Sequence, residues 1–229
     1  MRVLRWVGLA VLLALAVGLG CLLLTGPYPR EVALDPAQWG KRCEVPLVVA
    51  QNDRNANGVP DALDLVKGAR REVEIRAEYD AAYYNGYPPE GKGACTDVVW
   101  RAYREAGCGL KELLDRDIRE HPTAYGRTGQ RPEPNIDFRR VPNLEVFFSR
   151  HAKRLTTEVR PWEVDNLVEW QPGDIVIFGP PVDHIGVVSD QRRRDGVPLV
   201  IHNAGPYATE TEVLLSWPSK ITHHFRFPA

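Results

Sequence analysis

The alternation of apolar and polar positions divides the chain into an apolar leader, a helical middle and a strand-rich end. From residue 6 to 24 the run is apolar, and no charge occurs between Arg5 and Arg30. That length approaches the roughly 20 residues a helix needs to cross a bilayer. Over 60–73, Leu63, Val66 and Ala69 recur at helical spacing with charges between them. A second helix is predicted from Cys95, with Val98, Val99, Ala102 and Tyr103 on its apolar face and Gly107 and Gly109 ending it. Residues 110–120 and 143–152 supply two more helical candidates. Past residue 170 the pattern changes to short β-rich runs at 174–178, 185–189, 199–202 and 223–227, separated by Gly, Pro and Asp. Helices first and a strand meander second predict an α+β domain. No internal repeat or low-complexity tract interrupts it.

The connections divide the chain further. Residues 1–26 form a membrane anchor or signal segment, and the proline-containing stretch 27–52 reads as a linker. A loop and helix fill 53–78, and 79–229 forms the main domain. Within it, 79–93 is a Tyr-, Gly- and Pro-rich loop, and 121–143 is a long polar connection of the kind that often carries function.

Charge directs the leader. Arg2 and Arg5 precede the apolar run, so the positive-inside rule keeps the N-terminus in the cytoplasm and sends the rest of the chain outside. A cleaved signal ending near Ala14-Leu15-Ala16, or a lipoprotein acylated at Cys21, would place the domain on the same side. The formal net charge is −1, which gives no reason to expect a nucleic-acid partner. The short runs at Arg139-Arg140 and Arg192-Arg193-Arg194 read as solvated surface. Outside the leader stand Cys43, Cys95 and Cys108, an odd number for an exported domain. This suggests one disulfide and one free thiol: with Cys95 reactive, Cys43 pairs with Cys108. The alternative is that both are simply buried small apolar side chains.

Cys95 follows a Gly-containing turn at a predicted helix start. There the helix dipole and free backbone N–H groups favour a thiolate, and the N–H groups of Cys95 and Thr96 can hold an oxyanion. His184 opens one strand pattern and His202 closes the next, so neighbouring antiparallel strands can bring a base to the thiol and an orienting group behind it.

Longer motifs surround these residues. Tyr83-Tyr-Asn-Gly-Tyr-Pro-Pro-Glu-Gly-Lys-Gly-Ala-Cys95 resembles the loop before the nucleophile of NlpC-type cell-wall cysteine peptidases. Trp170-Gln-Pro-Gly-Asp-Ile-Val-Ile-Phe178, Asp183-His-Ile-Gly-Val-Val188 and Ile201-His-Asn203 are similar to that superfamily's following strands, in the same order, over about 79–227. With Cys95-Thr-Asp97 and Pro134-Asn-Ile-Asp-Phe-Arg-Arg-Val-Pro-Asn-Leu144, the stretch looks closer still to a bacterial branch catalogued as a domain of unknown function. The resemblance implies a papain-like (NlpC-type) core, a nucleophile helix packed on a small antiparallel sheet. It implies Cys95 as nucleophile, His184 as base, His202 or Asn203 as orienter, and Tyr83 as a hydroxyl near the thiol. The sequence departs from the common Asp-Cys-Ser-Gly motif by having Ala94-Cys-Thr-Asp97. Asp97 is expected to cap the helix; otherwise its charge would oppose thiolate formation. Asn135, Asp137 and Arg139 either line the cleft or serve turns and caps.

A second motif precedes this match. Asp53, Asn55, Asn57, Asp61 and Asp64 occupy positions one, three, five, nine and twelve of a loop with Gly58 at six. That is the spacing of an EF-hand-like Ca²⁺ loop, in which Val59 supplies a carbonyl. A metal-free turn capping a helix is the alternative. The expected activity is extracytoplasmic cysteine hydrolysis of an amide or peptide bond through a thioester, on a cell-envelope (peptidoglycan-type) substrate, with calcium as a structural ion only. An acyl or lipid esterase or acyltransferase on the same core is the second expectation, and a calcium-stabilised envelope binding module without catalysis the third.

Overall fold

A computed structural model describes residues 40–126 and 131–228. The chain divides at residue 41, and the second unit, Arg42–Ala229, carries all that follows. The anchor or signal segment at 1–26 lies outside the described residues. Among the described residues, no helix is long and apolar enough to cross a membrane.

Helix α1 (Asp61–Glu74) and helix α2 (Cys95–Glu105) are joined by a small parallel pair of strands, β1 (Glu78–Tyr79) and β2 (Lys92–Gly93). Helices α3 (Leu110–Glu120) and α4 (Val141–His151) follow. After β3 (Lys153–Arg154) and the short α5 (Val164–Leu167) come β4 (Ile175–Phe178), β5 (His184–Arg192), β6 (Pro198–Asn203), β7 (Ala208–Thr211) and β8 (Ile221–Arg226). Strands β3 to β8 form one antiparallel sheet in the order β3-β8-β4-β5-β6-β7. The domain is α+β, and the strand patterns of the sequence become the sheet's centre.

Alternation along the strands serves two cores at once. Ile175, Ile177, Ile185, Val187, Ile201 and Phe225 join the apolar faces of the helices. Val176, Phe178, Val188 and Val200 join a second cluster with Leu167, Trp170 and Leu214. With both faces covered, β4 is buried along its whole length, which explains its unbroken apolar run. Helix α1 crosses α2 closely because Gly68 has no side chain: a Cβ there would lie 2.6 Å from Glu105 Cβ and 3.0 Å from Ala102 Cα.

Two sequence expectations need correction. Cys43 and Cys108 are free thiols. Cys43 packs against the Leu167 cluster while Cys108 belongs to the helix-side core, so the sheet's two faces separate them. The arm expected to be a linker is tied down from Arg42 onward. Cys43 N donates to Arg194 O (2.9 Å), Val48 N to Gln171 Oε1 (2.9 Å), and Gln171 Nε2 to Pro46 O (3.0 Å).

Candidate active site

Helix α2 starts where it does because its first turn is capped from within. Asp97 is fully buried and accepts from the backbone N–H of Ala94 at 2.6 Å, half of a capping box; Ala94 offers no side-chain acceptor for the other half. Gly93 makes room for this carboxylate, since a Cβ there would stand 2.5 Å from Asp97 Cβ. Trp100 Nε1 donates to Asp97 Oδ1 at 2.8 Å, and the Arg139 guanidinium completes the shell at 2.9–3.1 Å. Arg139 also donates to the carbonyls of Asp80 (2.7 Å) and Ala82. It thereby ties the long connection, the loop before Cys95 and the helix start together.

A second buried arginine braces the same loop. Arg101 pairs with Glu72 on α1 at 2.6 Å and donates to the carbonyls of Pro89 and Lys92, each at 2.9 Å. The loop that delivers Cys95 is therefore held by guanidinium forks on both sides. Arg139 serves this framework rather than a cleft wall. Asn135 spans loop to loop, accepting from Gly86 N at 3.0 Å and donating to Asn85 Oδ1 at 3.1 Å. Asp137 accepts from Glu133 N at 2.7 Å, which is turn chemistry.

Cys95 is half-buried at the first position of α2. Its thiol lies against the backbone N–H groups of Ile185 and Thr96. Burial pushes the thiol up to about 11, and the Asp97 charge adds to the rise. The Ile185, Thr96 and Cys95 N–H groups oppose this without overcoming it. The helix start alone was expected to favour the thiolate; desolvation outweighs it.

Ile185 is the residue after His184, so the thiol abuts the strand at the point where the first histidine leaves it. His184 Nε2 and His202 Nδ1 are 2.9 Å apart, and His202 Nε2 is 2.9 Å from Thr211 Oγ1. The His184 ring stacks on Trp217 with centroids 4.1 Å apart and planes 15° apart. Burial, then the neighbouring His202, pulls His184 down to about 3, and burial pulls His202 down to about 4. Both imidazoles are neutral at neutral pH. No hydrogen bond joins the Cys95 thiol to His184 among the described residues; their proximity is that of adjacent backbone positions. Gly186 packs beside this pair, where a Cβ would meet Val200 Cγ1 at 2.4 Å and His202 Cβ at 3.3 Å.

Two expected site residues are elsewhere. Asn203 is not the orienter: its amide donates to Gly93 O (2.9 Å) and Ala77 O (3.1 Å), and its oxygen accepts from Gly205 N (3.1 Å). It ties the loop before Cys95 to β6. Tyr83, the hydroxyl expected near the thiol, is 63% exposed. Burial, followed by the Cys95 charge, raises the phenol of Tyr79. Tyr84 instead donates to Asp80 Oδ2 at 2.7 Å. Thr96 donates to Arg139 O at 3.3 Å and contributes its backbone N–H to the site.

Sequence reasoning missed Thr211, Trp217 and Tyr79. Thr211 and Trp217 follow His202 on segments without a motif, and Tyr79 stands at the edge of a loop holding three other tyrosines. The Pro-Gly-Asp motif is structural: Asp174 accepts from Arg226 Nε (2.7 Å), and His224 Nε2 lies 3.0 Å from its Oδ2. In the 53–64 loop, Asp53 accepts from the N–H groups of Asn57 (3.0 Å) and Gly58 (2.8 Å), and Asn55 and Asn57 donate to Asp64 (2.8 and 2.9 Å). Among the described residues, no three His, Cys, Asp or Glu side chains converge as a metal-binding group.

Residues 66–227 match a family described as a domain of unknown function, DUF1287. The chain is 40% identical over 192 residues to the uncharacterized protein YijF of Escherichia coli (strain K12), covering 80% of this chain and 87% of that protein. No solved structure matches.

Proposed function

We propose, on the premise that this chain belongs to the DUF1287 family of domains of unknown function, that it is a cysteine hydrolase of papain-like (NlpC-type) design that cleaves an amide or peptide bond through a thioester on Cys95. The observation that carries the reading is the chain Thr211–His202–His184 ending beside a helix-terminal thiol that touches the N–H of Ile185. With Thr211 Oγ1 accepting from His202 Nε2, His202 Nδ1 accepts from His184 Nε2. That leaves His184 Nδ1 with the lone pair that takes the thiol proton.

The thiol and imidazole begin neutral, so the proton moves as sulfur attacks. The S–C bond forms as the carbonyl π pair moves onto oxygen, where the N–H groups at the head of α2 can meet it. His184 then returns the proton to the leaving nitrogen as the C–N bond breaks. Water, deprotonated by the same imidazole, cleaves the thioester and restores the thiol. The substrate class that fits an exported domain is a cell-envelope peptide of the peptidoglycan type, with the leader holding the domain at the outer face of the cytoplasmic membrane.

A groove of about 410 Å³ beside Trp217, lined by Val159, Leu214, Leu215 and Ile221, favours one second reading, an acyl or lipid esterase or acyltransferase on the same core. The test is to incubate the full chain with envelope extract, trap the acyl group and weigh Cys95 peptides by mass spectrometry. A peptide-derived adduct absent from Cys95→Ala supports amide hydrolysis, and a fatty-acyl adduct supports the second reading. No adduct, with iodoacetamide labelling of Cys95 unaltered in His184→Ala, overturns both.

A further inference from the structure

The two ends of α2 hold fully buried aspartates in different states. Asp97, at the start, is met by a guanidinium and two N–H donors. Asp64 faces the other end from α1. It is also 0% exposed, yet both its donors are neutral side-chain amides, those of Asn55 and Asn57, and both reach the same oxygen, Oδ2. Its Oδ1 is buried without a partner. Asp61, 4% exposed, accepts from the Arg54 N–H at 2.8 Å through Oδ1. Its Oδ2 has no hydrogen bond, and the exposed Arg54 Nε is 3.4 Å away. Asp64, unlike Asp61, has no ion pair among the described residues, and a carboxylate this deeply buried is costly unless a cation meets it.

The loop around these two groups is rich in oxygen. Asp53, Asn55, Asn57 and the Val59 carbonyl complete a set of hard donors at the spacing of a Ca²⁺ loop, with Gly58 in the left-handed region (φ 84°) at the turn. We infer that residues 53–64 form a calcium site that clamps the C-terminal end of the Cys95 helix. On binding, the ion meets the bare Asp64 Oδ1 and takes the place of the Arg54 guanidinium at Asp61 Oδ2, while Asn55 keeps its bond to α2.

The link to α2 is direct. Asn55 Nδ2 donates to Glu105 O, the last residue of α2, at 2.8 Å. A Cβ on Gly107 would lie 3.2 Å from Asn55 Cβ, so the turn after α2 closes against the loop. The sequence alone placed this motif apart from Cys95; the fold sets it at the far end of the same helix. The inference does not depend on the proposed hydrolysis.

The test uses the purified full chain in detergent, with Ca²⁺ alone as ligand and EGTA and Mg²⁺ as controls. One Ca²⁺ should bind per chain, with a Kd in the range of about 10⁻⁴–10⁻³ M typical of extracellular modules. The Tm should rise by several degrees in millimolar Ca²⁺ and not in Mg²⁺. Hydrogen exchange over 102–108 should slow severalfold. Asp64→Asn should lose the Tm response, and Asn57→Ala, a change at an exposed ligand, should weaken binding about tenfold. Cys95→Ala should keep the whole response, which separates this result from any failure of the hydrolase reading. Absence of bound Ca²⁺ at about 10 mM, an equal response to Mg²⁺, or unchanged binding in both loop variants overturns the site.

Discussion

The start and the end of helix α2 solve the same electrostatic problem in opposite ways. At the start, Asp97 is buried and matched by Arg139, whose remaining N–H groups reach the Asp80 and Ala82 carbonyls. At the end, Asp64 is equally buried but has only amide donors on one oxygen and none on the other. The first arrangement is self-sufficient, at the helix terminus that carries Cys95. The second leaves one carboxylate oxygen bare, and the inferred ion would complete it and make that end of the helix responsive to its surroundings. Burial alone therefore does not tell what a carboxylate is for; the charge of its partners does.

The same substitution at the two ends tests this most strongly. Asp97→Asn leaves the Arg139 guanidinium buried without its counter-charge and should cost about 3–5 kcal/mol in urea unfolding. Asp64→Asn, measured in EGTA, should fall within about 1 kcal/mol of the parent, because it removes a charge that lacked a cation. Comparable losses at both ends in EGTA would erase the contrast.

The histidine pair gives the next effect. Both imidazoles titrate below the ordinary 6.5 in the folded chain, at about 3 and about 4. Between those values and 6.5 the unfolded chain therefore takes up protons that the folded chain refuses. Stability should fall as pH drops through that window, by about 1.4 kcal/mol per pH unit for each histidine, and level off below about pH 3. His202→Gln should flatten the slope by roughly half; an unchanged slope would move the titration to other groups.

The smallest effect separates two tyrosines. Tyr79→Phe should change the alkaline alkylation rate of Cys95 by about two- to fivefold, the scale of a modest interaction between the phenol and the thiolate charge. Tyr83→Phe should leave that rate alone. The reverse result would restore Tyr83 to the site.

Much of the architecture was readable from local rules. Helical spacing at Leu63, Val66 and Ala69 and at Val98, Val99, Ala102 and Tyr103 located α1 and α2, because a helix must bury one face. The β-rich runs after residue 170 located the central strands, and Asp97 three residues after Ala94 announced a cap. Cys95, His184 and His202 were legible as well, through motif order and the expectation that neighbouring strands bring two imidazoles together. Their 2.9 Å contact was not, since it depends on the register in which β5 and β6 pair.

Other roles belonged to the tertiary structure alone. Asn203 and His202 are adjacent in sequence, and only strand alternation sends one to the Gly93 carbonyl and the other to His184. Cys43 and Cys108 looked like a pair by count, and the sheet between them decided otherwise. Trp217 and Thr211 reach the site from segments without a pattern, because side chains meet by packing and not by spacing. The thiol's high pKa reflects desolvation, which the sequence of a helix start does not contain. Composition and order determined which chemistry the chain can bring together, while burial determined the protonation state in which each group waits.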